Sequence, residues 1–131
     1  LRWALRAYNE EVAQRMQGAG SQLRATHLAV LSHLDVEGTR QTALARRAGL
    51  SRQAVTLVLD ELERLGVVKR HPDPHDRRAK LVRYTTAGLQ ELGSGQRLSR
   101  ELEREFERRV GSARLQAALA VLGELFPTPT D

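Results

Sequence analysis

The chain has 131 residues, about one domain on the usual scale of roughly 100–200 residues, and is long enough to bury a core without covalent staples. It contains no cysteine, which excludes disulfides, thiolate metal ligation and thiol redox sensing within these residues, and no run approaches the ~18 apolar residues of a membrane span. The net charge of +5 is unevenly placed: residues 39–83 carry eleven Lys/Arg against five Asp/Glu, the remainder ten against eleven, so the basic character sits in the middle third and favours a polyanionic partner.

The charged, amphipathic start lacks the apolar core of a signal peptide, so a soluble cytoplasmic protein is expected. Because the first residue is Leu1 and not methionine, residues are expected to precede it in the full protein. Leu1, Leu5, Tyr8, Val12 and Met16 share one face of a helix over residues 1–16. Gly18, Gly20 and Ser21 break it, and Thr26 is the expected N-cap of a short helix carrying Leu28, Leu31 and Leu34. The segment DVEG, residues 35–38, closes that helix in a turn.

A compact helix is predicted over 42–48, with Leu44, Ala45 and Ala48 inward, then the turn Gly49, Leu50, Ser51. Ser51 is a good N-cap for a run in which Val55, Val58, Leu59, Leu62 and Leu65 recur at helical spacing until Gly66 stops it. The period then becomes alternating: strands are predicted at 67–71 and 80–85, with HPDPHDRRAK, residues 71–80, as the tip of a hairpin. A long helix marked by Leu89, Leu92, Leu98, Leu102, Phe106 and Val110 follows, then a last helix capped by Ser112 with Leu115, Leu119, Leu122 and Phe126 in line.

Two helices crossing through a short turn need small residues at the crossing, which Ala45 and Gly49 supply, so 42–65 reads as a helix-turn-helix. The polar residues left over near the second helix start are Ser51, Arg52, Gln53 and Thr56, able to hydrogen-bond phosphates or base edges in a major groove, with Arg40 and Gln41 beside them. A basic hairpin directly after such a helix is a wing. His75, Arg77 and Arg78 are its candidate contacts, the arginines for a narrow minor groove, and Asp76 is expected to hold an arginine side chain in one geometry.

Within DPHDRRAKLVRYTTAG the positions Asp76, Arg78, Val82, Tyr84, Thr85 and Gly88 follow a wing signature, and from about residue 24 to 125 the chain resembles the MarR family of bacterial transcriptional regulators. Tyr84 stands where that signature usually has an aliphatic residue. The resemblance implies a single MarR-like domain over 1–131, mainly α with a small β-hairpin wing. A winged helix-turn-helix over 24–86 would be flanked by dimerisation helices at 1–22 and 88–127. It also implies a ligand-responsive repressor, with Arg78 in the minor groove and a small aromatic or phenolic effector for which Trp3, off the first helix's stripe, is the candidate contact.

The apolar surplus of the outer helices points the same way. Leu1, Leu5, Tyr8, Leu115, Leu119, Leu122 and Phe126 exceed what a helix-turn-helix can cover, so a two-fold homodimer on a palindromic double-stranded DNA site is expected, with half-sites about 10 base pairs apart. The rival reading is a winged-helix module whose basic face docks an acidic protein. No cofactor is expected, His27, His33, His71 and His75 form no ligand cluster, and no nucleophile–base pair or Gly-rich phosphate loop suggests an enzyme.

Overall fold

A computed structural model describes residues 1–127. In chain order it holds α1 (Arg2–Gly18), α2 (Ala25–Leu31), β1 (Thr39–Arg40), α3 (Gln41–Ala48), α4 (Arg52–Arg64), β2 (Val68–Asp73), β3 (Asp76–Tyr84), α5 (Thr86–Val110) and α6 (Ser112–Leu125). The chain divides into two compact units, residues 1–96 and 97–131, with the boundary inside α5. Among the described residues no helix is long and apolar enough to cross a membrane.

The core of the first unit is built from one face of each helix. Val12, Ala13 and Met16 of α1 are buried, as are Val30 and Leu31 of α2, Leu44 and Ala45 of α3, and Val55, Leu59 and Leu62 of α4. Val68 and Val82 of the sheet close it, with Val67 in the bend before β2. The α1 stripe is therefore split: its C-terminal half packs inward, while Leu1 and Leu5 remain exposed.

The three-stranded antiparallel sheet has the order β1-β3-β2. Strand β1 is only two residues long, pairing Thr39 with Val82 and Arg40 with Leu81, and no alternation marks so short a strand in the sequence. The hairpin is longer than its sequence pattern: β2 reaches Asp73 and β3 begins at Asp76, so only Pro74 and His75 form the tip. Pro72 lies within β2 because that strand is an edge, where a missing N–H breaks no ladder on its outer side.

Two helix ends also differ from expectation. Helix α2 is capped from Arg24, not Thr26: the Arg24 backbone N–H donates to His27 Nδ1 at 3.0 Å, and the helix ends at Leu31, leaving Leu34 in the following turn. Helix α6 begins at Ser112 itself, preceded by Gly111 at φ 88°, with no side-chain cap.

The Thr85–Gly88 motif has a physical basis. Thr85 Oγ1 accepts from the Gly88 N–H at 3.0 Å, starting α5, while its hydroxyl donates to the Gly66 carbonyl. A Cβ at Gly88 would lie 1.9 Å from the Val67 carbonyl oxygen, so only glycine lets α5 begin against β2's approach. Tyr84, the departure from the aliphatic pattern, donates its hydroxyl to the Leu31 carbonyl at 3.0 Å, and burial pushes its phenol up to about 12. In the second unit, no residue of α6 is buried, and Leu119, Leu122 and Phe126 are exposed.

Candidate nucleic-acid interface

Helices α3 and α4 are joined by Gly49, Leu50 and Ser51. Gly49, left-handed at φ 66°, ends α3: the Leu50 N–H reaches the Ala45 carbonyl (2.9 Å) and the Gly49 N–H that of Arg46 (3.2 Å). Gly66, at φ 74°, ends α4 in the same pattern, with Val67 donating to Leu62. Ser51 caps α4 by accepting from the Ala54 N–H at 3.1 Å. No acid occurs in the first turn of α4, where Arg52 and Gln53 stand exposed, so the helix N-terminus presents N–H groups and guanidinium together, a combination that attracts phosphate.

Four sequence candidates are engaged within the scaffold. The Thr56 hydroxyl donates to the Arg52 carbonyl (2.7 Å) and accepts from Gln41 Nε2 (2.9 Å), so Thr56 and Gln41 brace α4 against α3. Arg40 donates through Nε to Asp73 Oδ2, and its guanidinium is anchored to the wing. Asp76 accepts from the backbone N–H of Arg78 at 3.0 Å; it fixes the main chain at Arg78, not the guanidinium, because a carboxylate two residues before an N–H closes a tight local turn.

Asp73, which sequence reasoning passed over, organises the tip. It is 5% exposed, accepts from the His75 N–H at 2.8 Å and pairs with Arg40, and these two partners, the His75 N–H first, hold its carboxyl below the usual range. Its signal was an aspartate two residues before His75 in a proline-bounded turn.

Behind the tip, Arg70 of β2 joins Asp60 (2.5 Å) and Glu63 (2.8 Å) of α4, and its side chain and N–H lower the Glu63 carboxyl. Glu61 likewise ties α4 to α2: it takes hydrogen bonds from His27 and Arg24, which depress its carboxyl, and His27 is 2% exposed. With Nδ1 accepting from Arg24, the His27 ring carries its proton on Nε2 and donates it to Glu61. The acids near the end of α4 are thus neutralised inside the scaffold.

Arg24, Arg40, Arg47 and Arg70 are held by carboxylates, whereas among the described residues Arg52, Arg77 and Arg78 make no ion pair and are exposed. His75 is exposed beside them at the tip. Of the outer residues, Leu1, Leu5, Leu119, Leu122 and Phe126 are exposed and Tyr8 and Leu115 half-buried, while Trp3 is 80% exposed and unenclosed by its own unit. No group of three His, Asp or Glu able to hold a metal occurs among the described residues.

Comparison with known proteins agrees with this geometry. The sequence profile described as MarR family matches residues 21–79. The HTH-type transcriptional regulator YdgJ of Bacillus subtilis is 30% identical over 105 residues, 80% of this chain; the chain spans 63% of that relative's length. The crystal structure of transcriptional regulator PA4135 superposes with a TM-score of 0.78 at 26% identity, covering 98% of this chain and 92% of that one. A mutant MarR from E. coli, solved in complex with operator DNA, matches at TM-score 0.74 and 20% identity over 96% of this chain and 88% of its own. The matching profile, the shared fold and the braced helix-turn-helix with its wing agree: the chain has the winged helix-turn-helix fold of MarR-family transcriptional regulators, and its residues 21–79 match that family's profile.

Proposed function

We propose that the chain binds double-stranded DNA as a homodimer and acts as a ligand-responsive repressor by occupying a palindromic operator. The N-terminal end of α4 enters the major groove with Ser51, Arg52 and Gln53, while Arg77, Arg78 and His75 of the wing reach the adjacent minor groove and its phosphates. The observation that carries this reading is the set of exposed arginines without an ion pair at the start of α4, Arg52, and on the wing, Arg77 and Arg78, beside a helix N-terminus with no acid in its first turn. An operator complex of the same fold in E. coli MarR supports it.

The exposed apolar residues of α1, and separately those of α6, are what a second copy would cover; two copies related by a two-fold axis would present two α4 helices to half-sites about 10 base pairs apart. A small aromatic or phenolic effector would stack on Trp3. It is the only tryptophan, so titrating a phenolic acid should quench its emission saturably; unsaturable quenching would remove the effector from the proposal.

Selection of bound sequences from a random duplex library tests the DNA reading. A palindrome should emerge, and affinity should fall log-linearly with salt at a slope of about −0.9 per phosphate neutralised. No enriched sequence, or a salt-independent affinity, would refute it and favour an acidic protein partner.

A further inference from the structure

Leu57 stands apart from the other leucines of α4. It is 66% exposed, whereas Val55, Leu59 and Leu62 on the opposite side of the helix are buried to 1% or less. It lies one turn after Gln53, and residues four apart share a helix face, so the two stand on the outward side that begins with Arg52. Thr56, the neighbouring polar residue, spends its hydroxyl on Arg52 and Gln41 and so is bound into the scaffold.

We infer that Leu57 is a specificity-determining residue that packs on the 5-methyl group of a thymine in each half-site. The inference rests on the proposed DNA-binding reading and deepens it. A surface lined by unpaired Arg52 and a helix N-terminus fits a polyanion, and an apolar side chain on such a surface gains by burial only where the polyanion offers apolar surface. The major-groove edge of a base pair offers one such group, the thymine methyl. Gln53, one turn earlier on the same side, carries the amide that pairs with adenine N6 and N7. Together they read A·T pairs: the amide selects the adenine and the leucine the methyl.

Replacing single thymines of the selected operator by deoxyuridine removes the methyl and nothing else. The wild-type protein should lose about fourfold in affinity at one thymine per half-site, the worth of one buried methyl. Leu57→Ala, which opens no core cavity because the side chain is exposed, should fold and dimerise normally, bind the thymine operator more weakly and become indifferent to deoxyuridine at that position. If the wild-type protein binds its operator but ignores every deoxyuridine substitution, or if Leu57→Ala keeps the wild-type sensitivity, the inference is overturned while the DNA-binding reading stands. If no duplex is selected at all, both fall.

Discussion

Gly88→Ala sets two physical rules against each other. Glycine inside a helix ordinarily costs about 0.5–1 kcal/mol relative to alanine, so the general expectation is stabilisation. At Gly88 the new Cβ would fall 1.9 Å from the Val67 carbonyl oxygen and 2.9 Å from its carbon, against the ~3.3 Å at which carbon and carbonyl oxygen normally meet. The carbonyl cannot step aside freely, because it accepts the Thr85 N–H at 3.0 Å. Forcing a methyl into packed structure costs about 1–3 kcal/mol, and losing a backbone hydrogen bond adds about 1, so the net change should be a destabilisation of roughly 2 kcal/mol. The control is Gly93→Ala, further along α5, where nothing lies within 4 Å of the added Cβ and the ordinary gain should appear. Urea unfolding followed by circular dichroism at fixed protein concentration would measure both. If Gly88→Ala unfolds at the same or higher urea than wild type, the close approach of α5 to Val67 is wrong.

Ser51→Ala should cost about 1 kcal/mol of stability by removing the acceptor for the Ala54 N–H, whereas Ser51→Gly should cost only a few tenths; equal losses would remove Ser51 as a cap. Arg78→Ala should weaken operator binding and reduce the salt slope by about 1 without changing the sedimentation of the free protein, and an unchanged affinity would exclude the wing from the contact. Glu61, Glu63, Asp35 and Asp73 all have carboxyls lowered from ordinary values of 3.8–4.5, so they bind fewer protons folded than unfolded. Their contribution is complete above those values and lost as pH falls through the lower folded ones; unfolding midpoints should drop steeply below about pH 4, and a flat profile there would contradict the pairing. Replacing Leu1 and Leu5 together by glutamate should leave the fold intact, since both are exposed, but convert dimer to monomer in sedimentation; a persistent dimer would place the interface elsewhere.

Strongly periodic features were legible in the sequence. The α3–α4 pair, the Ser51 cap and the Gly49 and Gly66 stops follow from local rules that tertiary packing does not override. Features made by pairing across distance were not. Strand β1 exists because Thr39 and Arg40 meet Val82 and Leu81, and the polar ends of β2 and β3 read as a turn although their backbones pair. The same holds for the interface. Exposed Arg52 and Gln53 were visible from the helical phase, but the engagement of Arg40 by Asp73 and of Thr56 by Gln41 depends on partners 33 and 15 residues away. Leu57 lies off the core stripe of Val55, Val58, Leu59 and Leu62, but the polar residues around it drew the sequence reading, and only its 66% exposure beside a Thr56 bound into the scaffold singles it out.

The ties among α4, the wing and β1 bear on how binding can be switched. Arg70 links β2 to α4, Arg40 links β1 to the wing tip, and α3 starts at the residue after Arg40, so the groups proposed for the two grooves belong to one braced block. Bending such a block requires breaking several ion pairs at once. Changing the distance between the blocks of two copies would leave these ion pairs in place, and DNA offers successive major-groove faces on one side only once per helical turn. In the proposed dimer, an inducer that shifted this spacing by a few ångströms would put the second reader out of phase while each copy kept its native shape, so release would read as a loss of cooperativity between half-sites and not as unfolding of either one.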